Sequence, residues 1–354
     1  MKARAPVAAL ALLALVAGAC SGSEETADGP QPTVTVTLLT HDSFDVSRDV
    51  VRAFERESGI DLQIVPAGDA GQLVNRAILT AGNPEGDVLF GVDDNLFPKA
   101  VEEGVFEPYE SPELSRVEEA YELDPTHAVT PVDHGDVCLN VDLGWFGERG
   151  LPPPGDLGDL TEGRYRGLTV VENPATSTPG LAFMLASIVR FGDDGWQAFW
   201  RDLRANDVLV VDGWEQAYFG EFSGAGGGEG ERPIVVSYAT SPVAEVVFAE
   251  ETLDRAPTAA VIESCYRQVE FAGVLAGTEH PREAGAVIDF LLSRPFQEDV
   301  PLRMFVFPVV GDAELPEEFV RWGEEPESPL ALPPEQVSAE REAWVQTWTD
   351  LMLG

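Results

Sequence analysis

Two strand-to-helix junctions in this chain carry the same chemistry. In TSTPG from Thr176, Pro179 suits the first turn of a helix, the hydroxyls of Ser177 and Thr178 can cap it, and Gly180 permits close approach. Exposed amides there could receive an anionic oxygen. YATSP from Tyr238 repeats the theme, with Thr240 and Ser241 ahead of Pro242. Trp214 and Tyr218 lie beyond the strand-like VLVVDG, and Tyr238 ends the next such run. Flat rings at a cleft edge stack on heteroaromatic ligands or hold a cation over their faces. Asp42, Asp93 and Asp94 follow other strand-like runs and would set anionic charge across from the rings. The combination suits a flat cationic ligand that also carries a hydroxyl or phosphate. Each feature has a plainer reading, a capped helix that binds nothing or a ring packed in a core. Two such junctions at one sheet edge favour a pocket over either reading alone. Catalysis finds little support: His41, Asp42 and Ser43 have the letters of a triad, but consecutive residues cannot point at one another in a relay, and no Gly-x-Ser-x-Gly elbow occurs. With four histidines, no His-x-x-x-His and no Cys-x-x-Cys, a metal site has no support, and no cofactor is expected.

Strands and helices must alternate to place these loops. TVTVTLLT from Thr33, DLQIVPA from Asp61 and DVLFGV from Asp87 read as strands, separated by a helix capped near Ser47 and another, GQLVNRAILTAG, from Gly71. That order predicts an α/β domain with a mainly parallel sheet and ligands at the carboxyl ends of its strands. The middle repeats it with GLTVVEN from Gly167, VLVVDG from Val208 and PIVVSY from Pro233, and with helices through Phe183 to Val189, from Asp194, near Glu215 and from Pro242. A returning strand from Val269 and helices at 281–292 and from Pro334 imply a chain that crosses between domains more than once around a hinged cleft. The fold class read from this is α/β with two domains, 33–135 with 266–310 and 136–265 with 311–354. Trp344, Val345, Trp348, Leu351 and Met352 form a packing stripe, and 224–231, rich in Gly and Glu, reads as a mobile loop with nothing to pack.

Sixty-two acidic against 22 basic residues give a net charge of −40, which disfavours nucleic acid and anionic membrane surfaces as partners. At the amino terminus, Lys2 and Arg4 precede an apolar run over 5–16, and Ala17, Gly18 and Ala19 stand directly before Cys20. This pattern predicts a lipoprotein export signal over 1–19, acylation of Cys20, and a polar tether over 20–32. The protein is then expected outside the cytoplasm, touching the membrane only through its lipid. Cys138 and Cys265 remain as an even pair in an oxidising compartment, either bridged or as two buried thiols.

The chain resembles the thiamine-binding, solute-binding proteins of bacterial ABC importers over nearly its whole mature length. The matching pieces, in order, are THDSFD from Thr40, GVDDNL from Gly91, ENPATSTPGLAF from Glu172, DGWEQAY from Asp212, SYATSP from Ser237, RQVEF from Arg267 and FVFPV from Phe305. The resemblance implies the hinged fold of periplasmic binding proteins related to ferric-ion binders, and a monomer that delivers thiamine or its phosphates to an ABC permease. It implies Tyr238 and Trp214 as a ring-stacking pair, Ser177, Thr178 and Gly180 as the corner for a hydroxyl or phosphate, and Asp42 and Asp93 facing the cation. Ser43, Asp94, Tyr218, Ser241 and Phe305 complete the expected lining. His41 stands where relatives often have Tyr and Phe305 where they can have Trp, which bears on the choice of ligand. Another small solute, such as a polyamine, a metal ion or an organic anion, is the alternative; an extracytoplasmic enzyme on this scaffold is the third reading.

Overall fold

Alternating β-branched and apolar residues bury Val36 and Leu38 completely and make Val34–Thr40 the first strand, β1. The computed structural model describes residues 34–226 and 230–354; the export signal, Cys20, the tether and residues 227–229 lie outside the described residues. The other strands are β2 (Ile60–Pro66), β3 (Val88–Asp93), β4 (Phe106–Glu107), β5 (Thr130–Asp142), β6 (Thr169–Glu172), β7 (Leu209–Val211), β8 (Ile234–Tyr238), β9 (Thr258–Leu275) and β10 (Phe307–Pro308). They join in one sheet in the order β2-β1-β3-β9-β5-β8-β6-β7, with β10 on β5 and β4 on β9.

Two parallel groups flank a long antiparallel pair. β1 runs parallel to β2 and β3, and β6 parallel to β7 and β8, while β5 and β9 are antiparallel to each other and to their outer neighbours. β5 and β9 pair from Thr130 opposite Ala272 to Val137 opposite Tyr266, then slip, so that Leu139 faces Val261. Residues 262–265 bulge at this slip. The Ser264 hydroxyl accepts from the Leu139 N–H at 2.8 Å and donates to the Val261 carbonyl at 2.6 Å, and a disulfide joins Cys138 to Cys265. A bulge re-aims a strand, and here it sits where both long strands pass from one parallel group to the other.

β2 and β7 are the two edges of the sheet, yet Asp69, just beyond β2, accepts a hydrogen bond from the backbone N–H of Trp214, just beyond β7, at 3.2 Å. Edges can meet only if the sheet folds over its middle, so the carboxyl ends of the parallel strands face each other across a cleft. A second contact closes the same seam: a Cβ on Gly71 would come within 2.7 Å of the Thr176 carbonyl oxygen.

Helices cover the outer faces. The two helices expected around Val189 and Asp194 run on as Thr178–Ala205, with a break at Gly192, whose φ of 71° only glycine adopts freely. In the terminal helix, Pro334–Met352, Trp344, Trp348 and Met352 are buried, and Trp348 packs edge-on to Trp200 at 5.4 Å. The loop expected to pack nothing differs: Ala225 is buried beside Tyr218 and Phe222, and the Gly226 N–H donates to Glu245 at 2.6 Å. Glycine allows this, because its backbone can approach those rings closely. Among the described residues, no helix is long and apolar enough to cross a membrane.

Candidate functional site

A cleft of about 1130 Å³ opens where the strand ends converge. Much of the lining comes from loops that follow parallel strands: His41, Asp42 and Ser43 after β1, Asp69 after β2, Thr178 after β6, and Trp214 after β7. Tyr238 and Ser241 enter from the end of β8, Glu270 from within β9, and Phe305 from ahead of β10. Nine of the residues expected from the sequence therefore share one cavity: His41, Asp42, Ser43, Thr178, Trp214, Tyr218, Tyr238, Ser241 and Phe305.

The rings form a corner rather than a sandwich. Trp214 and Tyr238 lie 6.4 Å apart at 65°, too close and too oblique to hold a flat molecule between them. Trp214 is fixed by its indole N–H, which donates to Ser237 at 2.9 Å, and by Tyr218, which stacks behind it at 5.2 Å and 20°. Tyr218 is buried and donates its hydroxyl to Glu245 at 2.8 Å, so it backs the indole instead of offering a free face. The Tyr238 hydroxyl donates to Gln268 at 3.2 Å, and its ring leans over Gly135, where a Cβ would stand 3.0 Å away. Phe305 holds a left-handed backbone, φ 56°, that side chains rarely adopt. The Thr240 hydroxyl donates to its carbonyl, and Phe248 and Phe319 pack its ring. Thr240 is thus occupied away from its expected capping role. Ser241 is occupied too, its hydroxyl 2.7 Å from that of Ser237 and accepting from the Tyr238 N–H at 3.1 Å.

Four expected residues lie outside the cleft. Because β3 is covered by β9, its end turns inward: Asp93 is fully buried and accepts from the Asn95 backbone and side chain at 3.2 Å and from Gln268 at 3.4 Å. Asp94 accepts from the Val269 N–H at 3.2 Å. Both carboxyls tie this loop to β9 rather than facing a ligand. Gly180 serves packing, since a Cβ there would come within 2.7 Å of the Glu172 carbonyl oxygen. Ser177 is buried at the start of the long helix, but its hydroxyl does not cap that helix.

In place of Asp93 and Asp94, Asp69 and Glu270 supply the charge. Asp69 caps the helix Ala70–Leu79 through the Gly71 N–H and also accepts from Trp214. Burial raises its pKa, against those bonds and the charge of His41. His41 Nε2 lies 3.6 Å from Glu270 Oε2. Burial works to lower the His41 pKa, but Glu270, Asp69 and Asp42 outweigh it and hold it above its ordinary value. The signals for both acids were present in the sequence: Asp69 is an N-cap type two positions ahead of the expected helix start, and Glu270 stands inside RQVEF.

The floor beneath the cleft sets a pH dependence of stability. Burial pushes Asp94 up to about 7, and raises Asp93, Asp133 and Glu172 well above the carboxylate range. Groups raised on folding contribute stability that is complete below their unfolded pKa, near 4, and lost as pH rises through the folded value. His134, held between Tyr121 and Phe307, runs the other way: burial lowers it to about 3, so its contribution is lost as pH falls below about 6.5. Above about pH 6.5 the raised acids act, and His41, held above its ordinary value, loses its contribution in the same direction, so ligand-free protein should melt at progressively lower temperature from pH 6.5 to 8. Asp94→Asn should flatten that slope. Calorimetric scans across this range check both, and a slope that Asp94→Asn leaves unchanged would remove Asp94 from the account.

Residues 83–324 match the family model described as bacterial extracellular solute-binding protein. The chain is 31% identical over 318 residues to the thiamine-binding periplasmic protein of Salmonella typhimurium, covering 88% of this chain and 92% of that one. Among solved structures it superposes on a periplasmic thiamin binding protein with a TM-score of 0.78 at 28% identity, over 90% of this chain and 96% of the other. Iron-bound HitA from Pseudomonas aeruginosa shares the fold, with a TM-score of 0.69 at 18% identity over 90% and 99% of the two chains.

Proposed function

The chain belongs to the bacterial extracellular solute-binding proteins, and on that footing we propose that it captures thiamine in the cleft and passes it to an ABC permease. The observation that carries this reading is the pairing of the Trp214–Tyr238 corner with Asp42, Asp69 and Glu270 in one cavity. Thiamine joins a permanently cationic thiazolium ring to an aminopyrimidine, so it presents flat faces to rings and a positive charge to carboxylates. Thr178, at the start of a long helix and lining the cleft, would receive the hydroxyethyl oxygen or its phosphate. On this reading the protein is a carrier and not an enzyme. It works as a monomer outside the cytoplasm, held through Cys20, with 33–135 and 266–310 forming one domain and 136–265 and 311–354 the other.

Titration calorimetry with thiamine, thiamine monophosphate, thiamine diphosphate and spermidine tests it. Thiamine should bind one to one, with a dissociation constant of about 1 μM or tighter, and spermidine, which has charge but no rings, should give no saturable heat. Tight spermidine binding without thiamine binding would sink the proposal. The phosphates discriminate the Thr178 corner: equal or tighter binding than thiamine supports it, and their exclusion removes it.

A further inference from the structure

Asp133 lies behind the cleft floor and has no role in the site described so far. It is the cross-strand partner of Glu270 in the β5–β9 pairing, 1% exposed, and its Oδ2 has no hydrogen-bond partner. A buried carboxyl oxygen in that condition is costly unless something donates to it or it carries the donor itself. The neighbouring polar group is the Glu270 carboxyl, on the residue directly opposite Asp133 in the strand pairing. Two carboxylates cannot hydrogen-bond to each other; a carboxylic acid and a carboxylate can, and form a strong bond.

We propose that Asp133 and Glu270 hold one proton between them, so that Asp133 is a neutral donor that positions Glu270 as the singly charged acceptor for the ligand's cationic part. The surroundings favour one proton on the pair. Asp69 and Asp42 stand on the loops after β2 and β1 in the same cavity as Glu270, and the buried Tyr238 hydroxyl stays neutral. Among the described ion pairs, His41 is the only cationic partner of Glu270. One cation cannot offset two adjacent buried carboxylates among so many acids, and like charges sharing a site retain a proton. Burial and the Glu270 charge both raise the Asp133 pKa, in agreement. Asp133 acts through Glu270 and does not line the cleft, so it is a positioning residue.

The inference rests on a cationic ligand for its binding consequence but not for the proton, and the two are tested separately. Infrared difference spectra of ligand-free wild type against Asp133→Asn at neutral pH should show the carbonyl stretch of one protonated carboxylic acid lost from the wild type. Absence of that band overturns the proposal whatever the ligand. Thiamine affinity against pH then reads the positioning. Asn also donates, so Asp133→Asn should keep affinity within about threefold and leave the pH curve in place. Asp133→Ala removes the donor that positions Glu270 and should cut affinity by about tenfold. A curve that moves to lower pH in Asp133→Asn would mean that Asp133 is ionised in the wild type, and would overturn the shared proton. Wild type that fails to bind thiamine would count against the thiamine reading alone, leaving the infrared result to decide the proton.

Discussion

Asp69→Ala should abolish most of the thiamine affinity, by about 30- to 300-fold, because this carboxylate does three things at once. It caps the helix Ala70–Leu79, accepts the Trp214 N–H from the opposite edge of the sheet at 3.2 Å, and brings negative charge into the cleft. An N-cap is worth about 1 kcal/mol of stability, and a hydrogen bond to a charged acceptor about 1.5–3 kcal/mol. The second belongs specifically to the folded-over sheet, since Asp69 and Trp214 follow strands at opposite edges. Asp69→Asn keeps an acceptor of the same shape and loses the charge, so it should retain closure better than affinity. Solution scattering with and without thiamine reports closure and calorimetry reports binding. If Asp69→Ala binds within threefold of wild type and compacts as wild type does, the bond across the seam has no role in capture.

Removal of the Cys138–Cys265 bridge should lower stability by about 3–5 kcal/mol, the largest effect on folding expected from any pair of substitutions here. The bridge closes a loop across a sequence separation of 127 residues, and a long loop loses more unfolded-state entropy than a short one. Both residues are 1% exposed, so alanine in their place leaves little polar mismatch. Cys138→Ala with Cys265→Ala should melt several degrees below wild type, and reductant should lower wild type toward it without moving the variant. Neither residue lines the cleft, so thiamine affinity should change by less than about threefold. Equal melting of wild type and variant under oxidising conditions would show that the bridge does not form in solution.

Much of the architecture is legible in the sequence because it is local. Period-two burial marked β1, N-terminal prolines and glycine stops marked several helices, and the β-α-β order implied parallel groups with ligands at strand ends. The helix Arg294–Arg303 was not legible, because two prolines interrupt its local pattern; Pro295 sits in the first turn, where no N–H is needed, and Pro301 lies within the final turn. The upstream ends of β5 and β9 were also missed. Their pairing with each other supplies the hydrogen bonds, and no local pattern encodes that partner.

For the site, local pattern is enough to say which residue types sit at strand ends: Tyr238 closes a strand, His41, Asp42, Ser43, Trp214 and Ser241 stand just beyond strands, and all line the cleft. Only the tertiary structure decided which way side chains point and what they meet. Asp93 and Asp42 are equivalent by position after a strand, yet β9 covers the end of β3 and turns Asp93 inward, while the end of β1 leaves Asp42 exposed at the rim. Tyr218 and Trp214 are equally aromatic, yet one backs the other. Asp69 and Glu270 enter because the folded sheet brings an edge loop and a central strand to one cavity. Orientation and contact depend on neighbours distant in the chain, and a strand pairing or sheet bend that sets them leaves no mark on the local pattern.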